Sequence, residues 1–272
     1  MKKTLQSSYV SGATESRRMA VQNHGSNSNH QAPPQRARTL AIDVGGTGLK
    51  ASVLDARGKM IVDRARVDTP YPCPPKVMVK ALVALVKPLP AFDRVSVGFP
   101  GYVRHDKVIT APEFGDDVWH GFDLAKALKA KFGKPVRLLN DADMQGFAAI
   151  KGNGLELVFT LGTGVGTALF RNGELMPHLE LAQHPVHEGK DYNEYLGKKA
   201  LKKIGKKKWN DRVRRVLKIL HVLLQPDKIY IGGGNARNIT LKLDAHLQLI
   251  SNQDGILGGL MAWEPIQKGD LR

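Results

Sequence analysis

Two short segments, 43-DVGGTG-48 and 162-GTGVGT-167, constrain the fold of this chain more than any other feature of it. Each follows an apolar run (39-TLAI-42 and 155-LELVFTL-161), turns through glycine and threonine, and returns at once to strand-like sequence (50-KASVLD-55 and 168-ALF-170). One such turn would only close a hairpin. Two copies roughly 120 residues apart describe one device used twice. Glycine admits positive φ and lets the backbone approach a ligand with no Cβ in the way. Successive N–H groups in such a turn form an anion nest, to which a threonine hydroxyl adds a donor. Two nests facing each other across a cleft would hold a run of phosphates from both sides. Asp43, at its strand end, is then placed to orient a hydrated Mg2+, which binds through few carboxylates plus phosphate oxygens.

The other elements extend the pattern. We expect strands over 39–43, 50–55 and 59–67, joined as a meander, and a helix over 76–87, where Val79, Leu82, Val83 and Val86 keep helical spacing. A strand at 95–99 runs into the breaker 100-PG-101. A helix over 121–133 has Asp123 near its start and Gly133 past its end. A strand at 136–139 leads through 140-NDAD-143 into a helix over 144–152. In the second half, 211-DRVRRVLKILHVLL-224 carries Val213, Val216, Leu217, Leu220, Leu223 and Leu224 on one face. The strand 228-KIYI-231 and the turn 232-GGG-234 follow, then helical patterns to about Trp263. Residues 1–38 are polar, without a sustained apolar period, and read as a disordered basic tail. Residues 39–139 and 140–263 then form two α/β domains, with 264–272 as a C-terminal tail.

Phosphoryl transfer needs a group to take the acceptor's proton. Asp141, at a strand end and a helix start, is the best candidate; Asn140 and Asp143 offer partners to hydroxyls. Both aspartates have a competing reading as helix N-caps, the stronger one at Asp143. The third glycine cluster, with Gly233 and Gly234, serves either close strand–helix packing or a nucleotide.

The charge of +16 is concentrated in two places. Residues 1–38 hold six Lys/Arg and one acid; residues 198–218 hold eight Lys and three Arg against Asp211 alone. The second cluster is either a solvated helix face or a landing surface for phosphates. No apolar run approaches a membrane span and the N-terminus lacks a secretory apolar core, so we expect no membrane partner. The single cysteine, Cys73, excludes an internal disulfide and a cysteine-built metal site, which suits a cytoplasmic home.

The ordered set 43-DVGGTG-48, 100-PG-101, 140-NDAD-143, 162-GTGVGT-167, 180-ELAQH-184 and 232-GGG-234 resembles the ROK family of sugar kinases, over about residues 39–263. Within it, 69-TPYPCPP-75, 161-LGTGVGTALFRNGELMP-177 and 188-EGKDYNE-194 are similar to the polyphosphate-using glucokinases. The resemblance implies two actin-like (ribonuclease H-like) ATPase domains around a central cleft, often in a homodimer. It implies phosphorylation of glucose or a related hexose at the 6-hydroxyl, with Mg2+ and with polyphosphate or ATP as donor. By matching position, Asp141 is the general base, and Asn140, Glu180 and, less strongly, Glu194 hold the sugar. Asp43, Gly45, Gly46, Thr47, Gly48, Lys50, Gly162, Thr163 and Gly164 serve phosphates and metal, and Gly233 and Gly234 lie by the nucleotide.

Two departures stand out. Many members carry a Glu-x-Gly-His element before a cysteine-rich zinc site. Here Gln183 stands where the histidine would be, or His184 is displaced by one residue; His184 and His187 also read as ordinary surface histidines. The zinc cysteines are absent, so no zinc is expected. The rival readings are a strictly ATP-dependent gluco- or mannokinase and a sugar-responsive DNA-binding regulator. Residues 1–38 are too short and too polar for the helix-turn-helix such a regulator needs, so no nucleic-acid partner is expected.

Overall fold

The computed structural model describes residues 37–251 and 254–263, and two five-stranded sheets dominate it. The reading of residues 1–38 as a disordered tail lies outside the described residues except at Ala37, which is buried, and Arg38, whose N–H donates to Asp93 Oδ2 at 2.8 Å, so order begins before Thr39; that of 264–272 as a second tail lies wholly outside them.

In the first sheet, β1 (Thr39–Val44) pairs antiparallel with β2 (Leu49–Leu54), which pairs with β3 (Ala65–Val67). The helix α1 (Pro75–Val86) then crosses to β4 (Arg94–Phe99), parallel to β1. A small hairpin, β5 (Val103–Arg104) with β6 (Lys107–Val108), and the one-turn helix α2 (Asp116–Trp119) precede α3 (Leu124–Phe132) and β7 (Val136–Asn140). The strand order is β3-β2-β1-β4-β7. Interior β4, between β1 and β7, is buried at all six residues, as a strand covered on both faces must be.

Next comes α4 (Asp141–Ala149), and the plan repeats. Here β8 (Leu155–Leu161), β9 (Val165–Arg171) and β10 (Glu174–Leu175) form an antiparallel meander. The short pair β11 (Pro185–His187) and β12 (Lys190–Asp191) leads to α5 (Tyr192–Leu196) and the long α6 (Lys198–Leu224). Then β13 (Lys228–Gly232) lies parallel to β8, and β14 (Leu247–Leu249) parallel to β13. The order β10-β9-β8-β13-β14 repeats that of the first sheet strand for strand. The duplication suggested by the two glycine turns therefore extends to both sheets.

Each sheet has its own core. In the second, α6 buries Trp209, Val213, Val216, Leu217 and Leu220, and Trp209 Nε1 donates to the Leu196 carbonyl at 2.8 Å. Each of these aliphatic side chains contributes on the order of 1.5–3 kcal/mol. Between the sheets lie α4 and α7 (Asp254–Met261), packed so tightly that a Cβ on Gly258 would collide with the Met144 carbonyl. Ser96 Oγ of β4 donates to the Gly259 carbonyl at 2.6 Å, tying α7 to the first sheet. No described helix is long and apolar enough to cross a membrane.

Several elements differ from expectation. Only residues 65–67 of the expected strand 59–67 are strand; Met60 and Ile61 are exposed, their apolar character not drawn inward. The helix expected over 144–152 begins three residues earlier, because Asn140 caps it, and ends at Ala149. The helix expected from 211 starts at Lys198, interrupted at Gly205, whose φ of 77° is not helical. The helical pattern expected to Trp263 contains β14, where pairing with β13 overrides the local pattern.

Candidate active site

The first glycine turn joins β1 to β2. The Gly45 N–H donates to the Gly48 carbonyl at 3.1 Å, and Thr69 Oγ1 donates to the Gly45 carbonyl at 2.6 Å. Gly46 and Thr47 stay exposed at its tip. Beside it, Lys50 Nζ holds Asp43 Oδ2 at 2.7 Å, while Asp43 Oδ1 has no protein partner among the described residues. The second turn joins β8 to β9 and closes in the same way, with Gly162 N–H donating to the Gly164 carbonyl at 2.9 Å. Asn193 straps it: Val165 N–H donates to Asn193 Oδ1 at 2.8 Å, and a Cβ on Gly164 would lie 2.6 Å from that oxygen. The N–H of Lys198, at the start of α6, donates to the Gly162 and Thr163 carbonyls. The basic helix therefore begins at the second turn. Its lysines 198, 199, 202, 203, 206, 207 and 208 are exposed and form no ion pair among the described residues.

The third cluster backs this turn. A Cβ on Gly233 would collide with the Leu161 backbone, and Asn235 Nδ2 donates to the Gly162 carbonyl at 2.7 Å. Gly233 therefore makes a close backbone approach, with φ of 83°; Gly234 is exposed.

Asp141 lies where the two halves meet. Gly98 of β4 passes close to its Cα, and Ala142 packs against Gly166 of the second hairpin. Its Oδ1 accepts the Ala142 N–H at 2.8 Å. Burial raises its carboxyl from the usual range to about 7, and the negative Asp43 pushes in the same direction. A carboxyl near 7 is matched to taking a proton at neutral pH.

The N-cap of α4 is Asn140, not either aspartate. Asn140 Oδ1 accepts from the Ala142 and Asp143 N–H groups, and Nδ2 donates to the Gly101 carbonyl at 3.0 Å. One amide proton of Asn140 remains for a ligand. Asp143, also buried, faces His178, whose Nδ1 lies 3.3 Å from Asp143 Oδ1 and whose Nε2 lies 3.3 Å from Glu180 Oε1. Burial opposes the charge on His178, but the two carboxylates outweigh it and raise its pKa to about 10. Burial also raises the Asp143 carboxyl, against the pull of His178.

The remaining candidates separate from this group. Glu194 completes a capping box on α5 with Asp191, its Oε2 accepting the Asp191 N–H. His184 is exposed, with its ring edge on Tyr192, and Gln183 is exposed too. Sequence reasoning missed His178 and Asn193. The capping box was legible in 191-DYNE-194; nothing local marked His178, whose partners are brought to it by the fold.

Residues 39–178 match the model of the ROK family. The chain belongs to the ROK family. A polyphosphate glucokinase of Mycobacterium tuberculosis is 34% identical over 82% of this chain and 90% of its own length. Among solved structures, the inorganic polyphosphate/ATP-glucomannokinase of Arthrobacter sp. strain KM superposes with a TM-score of 0.76 at 29% identity, covering 84% of this chain and 98% of that one. A ROK glucokinase of Streptomyces griseus, in complex with glucose and AMPPNP, gives a TM-score of 0.68 at 20% identity over 82% and 98% of the two chains, a likeness of fold. The fold shared with these ROK sugar kinases is the actin-like ATPase fold, as expected from the sequence.

Proposed function

We propose that this ROK-family sugar kinase moves a phosphoryl group from inorganic polyphosphate, and also from ATP, to the 6-hydroxyl of glucose, with Asp141 as general base. The observation that carries the reading is the Asp141 carboxyl, raised to about 7 by burial and by Asp43 ahead of the first glycine turn, with the neighbouring Ala142 against Gly166 after the second. Asp141 takes the proton of the 6-hydroxyl. The sugar oxygen forms a bond to the donor's terminal phosphorus as the bond from that phosphorus to the leaving phosphate oxygen breaks. Gly45, Gly46, Thr47 and Gly48 on one side and Gly162, Thr163 and Gly164 on the other hold the phosphates. Asn140 and Glu180 hold the sugar, whereas Glu194 and His184 are left to capping and to the surface.

Mg2+ fits Asp43 as a hydrated ion. Among the described residues no group of three or more His, Cys, Asp or Glu could hold a metal alone, and Asp43 offers one free carboxylate oxygen beside the first turn. Bound there with the donor, the ion would neutralise charge on the phosphates. The use of polyphosphate is supported by the M. tuberculosis relative and by the basic helix α6, which starts at the second turn. We further propose two domains, residues 39–139 and 140–263, closing on the substrates within a homodimer in the cytoplasm.

Initial rates of glucose 6-phosphate formation with polyphosphate and with ATP test the reading. Turnover with polyphosphate supports it. Turnover with ATP alone selects the strictly ATP-dependent alternative, and no turnover of any hexose with either donor refutes it.

A further inference from the structure

His178 has no part in the reaction as described, yet it contacts Asp143, on the same helix as Asp141, and Glu180 together. Its imidazole is only 8% exposed and stacks on the Tyr102 ring at 5.4 Å with an 18° interplanar angle. Its two nitrogens face two carboxylates: Asp143 on α4, itself 7% exposed, and Glu180 on the loop after β10. The loop is pinned, since Thr167 Oγ1 of β9 donates to the Leu179 carbonyl at 3.1 Å. Tyr102 is held from the other half, its N–H donating to Thr110 Oγ1, beside the Gly101 carbonyl that accepts from Asn140. A connected set therefore runs from the end of β4 through Tyr102, His178 and Glu180.

A buried imidazole between two carboxylates is worth its desolvation only if both nitrogens donate. Glu180, 37% exposed, then has Oε1 fixed by His178 and Oε2 without a protein partner among the described residues. A flexible carboxylate held in one orientation with one oxygen open loses less entropy on binding a hydroxyl.

We propose that His178 is a positioning residue for hexose recognition, fixing the Glu180 carboxylate for sugar hydroxyls and tying it through Asp143 to the helix that bears Asp141. The proposal rests on the reading of this cleft as a hexose site. It gives this chain, with Gln183 and His184 both exposed, a different histidine at the sugar.

The test is His178→Gln, assayed for hexose phosphorylation and for glucose binding by calorimetry without donor. Hexose KM and the glucose dissociation constant should rise about two- to tenfold, with kcat changed by less. Glu180→Gln should raise them by at least as much, and the double variant no further. In the folded variant, an unchanged KM or additive effects overturn the proposal. If His178→Gln does not fold, Glu180→Gln still decides it, since the His178 imidazole should titrate at lower pH by NMR than in the unmodified protein; an unmoved titration overturns the proposal. An unmodified protein that neither binds nor phosphorylates any hexose overturns both this inference and the function it rests on. Normal turnover with an insensitive His178→Gln overturns this inference alone.

Discussion

Replacing Asp141 by asparagine keeps the shape of the side chain and its bond from the Ala142 N–H but removes the charge. Two opposite effects follow. A positioned carboxylate base contributes about 10²–10⁴-fold to rate, so kcat should fall by that factor, or about 3–5 kcal/mol of barrier. Stability should move the other way. The folded carboxyl titrates at about 7, above the value of 3.8 it has when free. Between those values the folded state binds more protons than the unfolded one, so stability falls as pH rises through the window. The ionised carboxylate then costs the fold on the order of 2–4 kcal/mol above pH 7 and nothing below pH 3.8. Asp141→Asn should therefore be more stable than the unmodified protein in urea at pH 8, with the gap closing towards pH 4. A variant that is less stable at pH 8, or one that keeps more than about a tenth of the activity, would refute this reasoning.

Two further substitutions separate what the turns do for the ligand from what they do for the fold. A Cβ at Gly162 meets nothing within 4 Å, so Gly162→Ala should leave the melting temperature unchanged while raising the KM for the donor by crowding the phosphate cradle. Gly164→Ala instead displaces Asn193 from Val165 and should cost about 1 kcal/mol of stability; equal behaviour of the two variants would deny the cradle. Reversing Lys206, Lys207 and Lys208 to glutamate should lower kcat/KM for polyphosphate more than for ATP and flatten its dependence on salt. Equal losses with both donors would return α6 to a solvated face.

Much of this is legible in the sequence itself, because the decisive signals are local. The glycine turns, Asp123 and Gly133 around α3, and the apolar face of α6 from Val213 to Leu220 each announce themselves within a few residues, whereas Leu223, expected on that face, is 56% exposed in the last turn of the helix. The misplacements arise where distant contacts decide. Residues 247–249 become a strand because β13 offers an edge, and α4 starts at Asp141 because Asn140 takes the cap, with its Nδ2 on Gly101. The Asp143–His178–Glu180 group joins a helix to a loop that follows a different sheet, and no spacing in the sequence encodes that meeting. Asn193 escaped notice for the same reason: its partner is the turn at Val165.

The central claim is that Asp141 is the base of a hexose-phosphorylating cleft, and its own ionisation tests that most directly. With saturating donor, kcat/KM for glucose should rise on the order of tenfold from pH 6 to pH 8, with an acid limb near 7 where Asp141 loses its proton. A profile that stays flat from pH 5 to pH 8 would contradict it.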